Sequence, residues 1–202
     1  MLSFADDPTH IADHFAATTI LFADIVGFTE LSEMLSPINL VQMLNDLFSR
    51  FDELLDKYKL NKVKTIGHCY TVTSIPHYNE EKESCVAVCN FALEMMKELK
   101  KFNTDNPGYN LNLRVGINAG PVVAGTVGKK RFLCDLWGDA VNIASRMETT
   151  GIAGMIQVTK NVYAHAEQDF IFESRGMVSV KGKGEMETYF LTESKRSHNS
   201  GR

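Results

Sequence analysis

Apolar and polar residues along the chain follow two alternating patterns, one typical of strands and one typical of helices. Thr18–Phe22 is a β-branched apolar run that predicts a buried strand, and it ends just before Asp24. Leu111–Ile117 alternates strictly between apolar and polar residues, as a half-buried strand does. Gly120-Pro121 predicts a turn after that strand, followed by a hairpin partner over Val122–Val127.

Three segments have the periodicity of amphipathic helices. Ser36 followed by Pro37 is a helix-start signal, and the helix after it places one apolar face in the predicted core. That face consists of Val41, Leu44, Phe48, Phe51 and Leu55. Val86–Leu99 predicts a second helix, and Gly138–Met147 predicts a third.

The remaining apolar runs predict further strands. Lys62–Ile66 and Tyr70–Thr73 form a predicted hairpin around Gly67, with His68 in its turn. The later strand-like runs are Met155–Thr159, Phe170–Phe172, Met177–Val180 and Thr188–Leu191. This order of elements predicts an α+β domain with helices packed on a mainly antiparallel sheet.

Composition adds boundaries and exclusions. The 202 residues carry a net charge of −4, which gives no general attraction to nucleic acid. Since no apolar run reaches a membrane span, no signal-peptide pattern begins the chain and the cysteines lack metal-site spacing, we expect a cytoplasmic protein with reduced thiols rather than a disulfide framework. A linker over residues 1–16, one domain over 17–193 and a disordered tail over 194–202 are expected.

Three short segments could carry chemistry. In Asp24–Thr29, a carboxylate at a strand end meets a glycine turn that could hold phosphate and a hard cation, although a helix-capping aspartate is the simpler interpretation. Asn142 and Arg146 are four residues apart and share a helix face that could orient a hydroxyl and stabilise phosphoryl charge, or could simply be solvated. Lys181–Gly184 places two cations on a glycine-spaced loop, a pattern that many ordinary turns share.

Taken together, these segments resemble the class III nucleotide cyclase catalytic domain over about residues 17–192. The segments that carry the resemblance, in the family's order, are Asp24–Thr29, Lys64–Gly67, Arg114–Ile117, Trp137–Glu148 and Lys181–Phe190. The resemblance implies a ferredoxin-like βαββαβ core. It also implies a second cyclase domain paired head to tail, in a homodimer or a heterodimer, with active sites shared between the two chains.

The resemblance assigns metal binding to Asp24, to the Ile25 carbonyl and to a second aspartate in the hairpin turn, which together hold two divalent ions, Mg²⁺ or Mn²⁺. This sequence has His68 at the second aspartate position. Because Mg²⁺ prefers carboxylate and water oxygens, an imidazole there predicts an impaired metal site. The alternative is that His68 ligates a softer ion such as Mn²⁺ and leaves weak activity.

The resemblance also assigns the nucleotide contacts. Lys64 and Asp135 match the purine-reading pair in its adenylyl form, whereas guanylyl cyclases usually carry glutamate and cysteine. A lysine donor suits adenine N1 and a carboxylate accepts from the 6-amino group, so ATP is the expected substrate. Asn142 and Arg146 match the catalytic residues that orient the ribose and stabilise the pentavalent phosphorus. The residues that match phosphate contacts are Arg114, Lys181, Gly27, Phe28 and Thr29.

Three functional hypotheses follow. The first is an adenylyl cyclase that forms cyclic AMP and pyrophosphate by two-metal-assisted attack of the 3′-hydroxyl on the α-phosphorus, with activity lowered by His68. The second is a complementing or regulatory subunit of a heterodimeric cyclase with little activity alone. The third is a guanylyl cyclase, against which Lys64 and Asp135 argue. An upstream sensor or regulatory domain is also expected, and the sequence leaves membrane attachment of such a longer protein open.

Overall fold

The computed structural model describes residues 12–78, 80–127 and 133–195, which form eight strands and five helices. The strands are β1 Ala12–Val26, β2 Asn61–Ile66, β3 Cys69–Thr73, β4 Asn112–Val127, β5 Leu133–Trp137, β6 Ile156–Thr159, β7 Phe170–Val180 and β8 Gly184–Ser194. The helices are α1 Phe28–Met34, α2 Pro37–Tyr58, α3 Glu81–Asp105, α4 Asp139–Thr149 and α5 Lys160–Ala166. This architecture confirms the predicted α+β class.

The described strands form one sheet, in the order β2-β3-β1-β4-β6-β8-β7, with β5 paired to β4. Neighbouring strands are antiparallel except for β4 and β6, which are parallel. β1 and β4 are the longest strands and lie side by side in the middle of the sheet. Residues near the ends of these two strands are therefore held in a fixed register.

The two faces of the sheet carry separate apolar cores. On β1, Leu21 and Ile25 belong to the larger core, which also contains buried residues of α2, α3 and α5. Ile20 belongs to the smaller core on the other face, together with Ala140 and Ala144 of α4. Because successive strand residues point to opposite faces, Asp24 lies on the α4 side of the sheet.

α2 begins where the sequence predicts, but its apolar face is shorter than expected. The Ser36 hydroxyl accepts a hydrogen bond from the Asn39 amide at 3.3 Å, as an N-cap does. Phe48, Phe51 and Leu55 are buried, and Leu44 packs against them at the edge of the core. Val41 is 64% exposed, so its assignment to the core is wrong. Buried positions in α2 begin at Met43, because the first turns extend beyond the core.

The first strand starts earlier than the predicted domain boundary. Residues 12–16, expected as linker, belong to β1, and Ala12 pairs with Gly125 of β4. The predicted tail also overlaps the sheet, since Ser194 is the last residue of β8. Residues 1–11 of the expected linker and 196–202 of the expected tail lie outside the described residues.

The predicted turn at Gly120-Pro121 is wrong, because β4 runs through both residues without a break. Val122–Val127 therefore does not return along Leu111–Ile117 but continues β4 and pairs with β5 instead. The register of β1 against β4 shifts between Phe15 and Thr18, opposite this dipeptide. Such an irregularity accommodates a proline, which has no N–H to donate to the ladder.

Cys69, Cys85 and Cys89 carry free thiols, and the Cys134 side chain lies outside the described part of the structure. Within residues 12–78, 80–127 and 133–195, no helix combines the length and apolar character that a membrane crossing requires.

Candidate active site

Asp24 lies near the end of β1, between two strands that each place a residue directly opposite it. Cys69 of β3 is its partner on one side, and Arg114 of β4 is its partner on the other. The Nη2 atom of Arg114 is 3.7 Å from Oδ2 of Asp24, and the Asp24 side chain is 19% exposed. The carboxylate is thus partly open to solvent and has a cation at its side.

His68 reaches the same carboxylate from the turn between β2 and β3. The positive φ of Gly67, 59°, is the conformation that lets glycine form this tight connection. His68 Nε2 is 3.2 Å from Asp24 Oδ1. The imidazole also stacks on the Phe28 ring, with centroids 4.1 Å apart. The structure therefore brings together the two side chains that the resemblance assigned to metal binding.

Gly27, Phe28 and Thr29 form the start of the short helix α1, immediately after β1. Gly27 has a φ of 72° and accepts a hydrogen bond from the Leu31 amide at 3.1 Å through its carbonyl. Gly27 and Thr29 are exposed beside Asp24 along the chain. The predicted phosphate-binding segment is thus open to solvent at the end of the strand.

On its far side, the Arg114 guanidinium contacts Glu148 of α4. Arg114 Nε donates to Glu148 Oε1 at 2.7 Å, and Glu148 is only 5% exposed. Burial raises the pKa of Glu148, while Arg114 opposes that shift. α4 can approach β4 this closely because Gly116 has no side chain, since a Cβ there would lie 2.0 Å from the Glu148 backbone nitrogen.

Lys64 and Asp135 form a second cluster, between β2 and β5. Lys64 Nζ is 2.6 Å from Asp135 Oδ2, and both side chains are about one third exposed, at 38% and 33%. The Leu136 amide donates to the other Asp135 oxygen at 2.8 Å, which fixes the carboxylate on its strand. A cationic donor and an anionic acceptor therefore lie side by side at the surface.

The remaining predicted residues lie on α4 and on the loop between β7 and β8. Asn142 and Arg146 are exposed on α4, and Lys181 is exposed on the loop. The loop is tied to the first turn of α4, because Lys183 Nζ is 2.6 Å from Asp139 Oδ1. The side chains of Asn142, Arg146 and Lys181 make no hydrogen bond or ion pair with the described part of the chain.

Comparison with known proteins identifies the family of this chain. Residues 11–193 match the family described as the adenylate and guanylate cyclase catalytic domain. The chain belongs to this family. An adenylate cyclase of Mycobacterium tuberculosis (strain H37Rv) is 46% identical to this cyclase domain over 182 residues, which are 90% of the chain and 40% of the relative. The receptor-type guanylate cyclase gcy-7 of Caenorhabditis elegans is 42% identical over 88% of the chain and 16% of its own length.

A solved structure agrees with the fold of the cyclase domain. The guanylate cyclase domain of RhGC from Catenaria anguillulae, determined in complex with GTP, superimposes with a TM-score of 0.85 at 34% identity. The match covers 91% of this chain and all of that one. Relatives of both purine specificities are thus similar to this domain, which spans less than half the length of the two curated relatives.

The donor atoms around Asp24 are too few for a site that holds two divalent ions. Asp24 and His68 supply one carboxylate and one imidazole within reach of each other, and Arg114 brings a positive charge to the same carboxylate. Within the described ranges, no cluster of three or more His, Cys, Asp or Glu side chains is arranged to hold a metal. The residues present therefore do not fit the two-ion site that the resemblance implies.

Two contacts of this cyclase domain were not predicted from the sequence as parts of the site. The first is the hydrogen bond from Arg114 to Glu148, a residue that the sequence motif includes without giving it a role. The second is the ion pair between Asp139 and Lys183, which are far apart in the chain. Periodicity gives no signal for either contact. Gly116 on β4 and the glycine-spaced lysines of the β7–β8 loop are the residues that could have pointed to these contacts. Neither indicates a partner until the helix that packs against it is known.

Proposed function

We propose that the chain is the catalytic domain of an adenylyl cyclase, which converts ATP to cyclic AMP and pyrophosphate. The observation that carries the proposal is the ion pair between Lys64 and Asp135, with 2.6 Å between Nζ and Oδ2. A lysine can donate to the N1 acceptor of adenine, and a carboxylate can accept from its 6-amino group. Guanine presents the opposite polarity at these two positions, and a site with the wrong partners leaves polar groups unpaired.

In the proposed reaction the 3′-oxygen of the ribose attacks the α-phosphorus. A new P–O bond closes the ring, the bond to the β-phosphate breaks, and pyrophosphate leaves while the hydroxyl proton passes to solvent. Asn142 orients the ribose, Arg146 stabilises the charge on the pentavalent phosphorus, and Arg114 and Lys181 bind the outer phosphates. The exposed positions of Asn142, Arg146 and Lys181 are consistent with a site completed by a second cyclase domain, paired head to tail.

His68 limits this activity, because it replaces a charged oxygen ligand by a neutral nitrogen. We infer that the chain alone has low activity with Mg²⁺ and gains some with Mn²⁺, which accepts imidazole more readily. The experiment measures cyclic AMP and cyclic GMP production by the purified chain with each ion. The same measurements are made on the single variants His68→Asp and His77→Asp. His77 is an exposed histidine beyond the other end of β3, so the same substitution there is a matched control.

The expected result is a rise in cyclic AMP production of about 10- to 100-fold for His68→Asp and no rise for His77→Asp. Equal turnover of ATP by the parent and the His68→Asp variant would remove the metal defect from the proposal. A variant that makes cyclic GMP in preference to cyclic AMP would overturn the assignment of ATP.

A second candidate function is favoured by the uneven state of the site. The proposed nucleotide-binding half retains Lys64, Asp135, Asn142 and Arg146, whereas the proposed metal half has lost one carboxylate to His68. Such a chain could complement a second chain that carries both aspartates. Mixing it with a metal-competent cyclase domain distinguishes the two functions, since only complementation gives an activity well above the sum of the separate activities.

We also propose that this domain works under the control of an upstream regulatory domain. The support is the length of its relatives, because the chain spans 40% of the mycobacterial adenylate cyclase and 16% of the receptor-type guanylate cyclase.

A further inference from the structure

Glu148 is a buried carboxylate to which the proposed reaction assigns no role. It is 5% exposed and lies on α4, two residues beyond Arg146. A buried carboxylate is costly unless it is paired, and the partner here is the Arg114 guanidinium, with 2.7 Å between Nε and Oε1. The pair therefore connects α4 to the strand that also faces Asp24.

The backbone around this pair is shaped for close contact. At Gly116, an added Cβ would lie 2.0 Å from the Glu148 nitrogen, and at Gly151 it would lie 2.8 Å from Cγ of Arg114. Glycine at both positions lets the end of α4 pack closely against β4 beside Arg114. The Gly151 amide also donates to the Glu148 carbonyl at 2.8 Å, which holds the end of the helix in place.

The contact with Glu148 fixes the direction of the guanidinium. Arg114 uses Nε for Glu148, and Nη2 then lies on the side of Asp24, 3.7 Å from its carboxylate. A guanidinium has five donors in a planar fork, so fixing one edge aims the others. The terminal nitrogens of Arg114 make no hydrogen bond to the described residues, and the side chain is 29% exposed.

We propose that Glu148 is a positioning residue that holds Arg114 ready to bind the polyphosphate of the nucleotide. This inference rests on the proposed function, because it takes Arg114 as a phosphate contact. Glu148 itself touches no substrate and acts only through the arginine.

The test measures binding of inorganic tripolyphosphate by calorimetry, with Mn²⁺ present throughout. The variants are Glu148→Gln, Arg114→Gln and the double variant, with Glu173→Gln on the exposed face of β7 as the matched control. Glu148→Gln should weaken binding about tenfold, Arg114→Gln at least as much, and the control not at all. In the Arg114→Gln background, Glu148→Gln should have no further effect, since its action passes through the arginine. Glu148→Asp keeps the charge and should retain more affinity than the glutamine variant.

Three results would overturn the proposal. One is unchanged binding by Glu148→Gln when Arg114→Gln weakens it; another is an equal loss with and without Arg114, which would indicate a merely structural effect. The third is a parent chain that binds no tripolyphosphate at millimolar concentration.

Cyclic AMP production by the His68→Asp variant is measured separately, so that a failure of the cyclase assignment and a failure of the Glu148 inference are distinguished. In that background, Glu148→Gln should raise KM for ATP with little change in kcat.

Discussion

Individual side chains set the charge around each half of the site. Near Asp24, one carboxylate faces one guanidinium and one imidazole, so the cluster carries less negative charge than a pair of aspartates would. Near β5, a lysine and an aspartate place a donor beside an acceptor, and the proposal assigns this pair to the purine edge. Substitutions of single residues should therefore change metal use and purine choice separately.

An exchange of Lys64 and Asp135 for the residues usual in guanylyl cyclases tests the proposed choice of ATP. Lys64→Glu with Asp135→Cys, made in the His68→Asp background, should shift the ratio of cyclic AMP to cyclic GMP formed toward cyclic GMP by about 100-fold or more, because donor and acceptor polarity is reversed. Product analysis with equal ATP and GTP measures the ratio. Lys62→Glu is the control, since Lys62 lies on the same strand but pairs with Asp52 at 3.0 Å. An unchanged ratio in the double variant would show that other residues read the base.

At the scale of elements, the contact between α4 and β4 positions both Glu148 and the exposed pair Asn142 and Arg146. Gly116→Ala should separate these elements, because its Cβ would overlap the backbone of Glu148. We expect a loss of about 3 kcal/mol in the free energy of unfolding, measured with denaturant. Gly108→Ala is the control, since a Cβ there meets nothing within 4 Å. Equal stability of the two variants would contradict the close packing of α4.

The buried thiol of Cys85 on α3 should make the free energy of unfolding of the domain fall at alkaline pH. Burial raises the pKa of Cys85 from an ordinary 9.0 to about 11. Since the folded state holds this proton more tightly than the unfolded state, the contribution is complete below pH 9 and is lost as the pH rises through 11. By pH 11 the loss for Cys85 amounts to about 2 kcal/mol.

Denaturant unfolding at pH 7.5 to 10.5 tests this dependence on the parent chain and on Cys85→Ala. The stability of the parent should fall more steeply with pH than that of the variant. Identical slopes in the two chains would show that the thiol is not protected by the fold.

Elements with a local signal could be predicted from the sequence, and contacts between distant segments could not. Ser36-Pro37 marks the start of α2 because capping is a property of adjacent residues. Gly120-Pro121 is misleading on its own, because the register shift that accommodates it lies on β1, about a hundred residues earlier. The meeting of Asp24 and His68 was predicted only through the family resemblance, and the approach of Arg114 to Asp24 depends on a strand register that the sequence pattern does not show. The contact of Glu148 with Arg114 depends on the packing of α4 against β4, and the sequence pattern does not predict it.

At the scale of the whole molecule, one hairpin serves both halves of the proposed site. Lys64 lies on β2 and pairs with Asp135, while His68 lies in the turn that follows and contacts Asp24. In a head-to-tail pair, each site would take the metal half from one chain and the nucleotide half from the other. A defect in one half of a chain should therefore leave its other half usable by a partner.

Mixing two chains with different defects tests this arrangement directly. The parent lacks the second carboxylate, and a His68→Asp chain that also carries Arg146→Ala lacks the group assigned to the transition state. Each alone should make little cyclic AMP. About half of the dimers are mixed if the chains pair at random, and each mixed dimer has one site with every assigned group. The mixture should therefore exceed the summed activities by about tenfold or more. Adding Arg146→Ala to the parent as well should abolish the gain, because no complete site can then form. A mixture that forms dimers but shows no gain would contradict a site shared across the two chains.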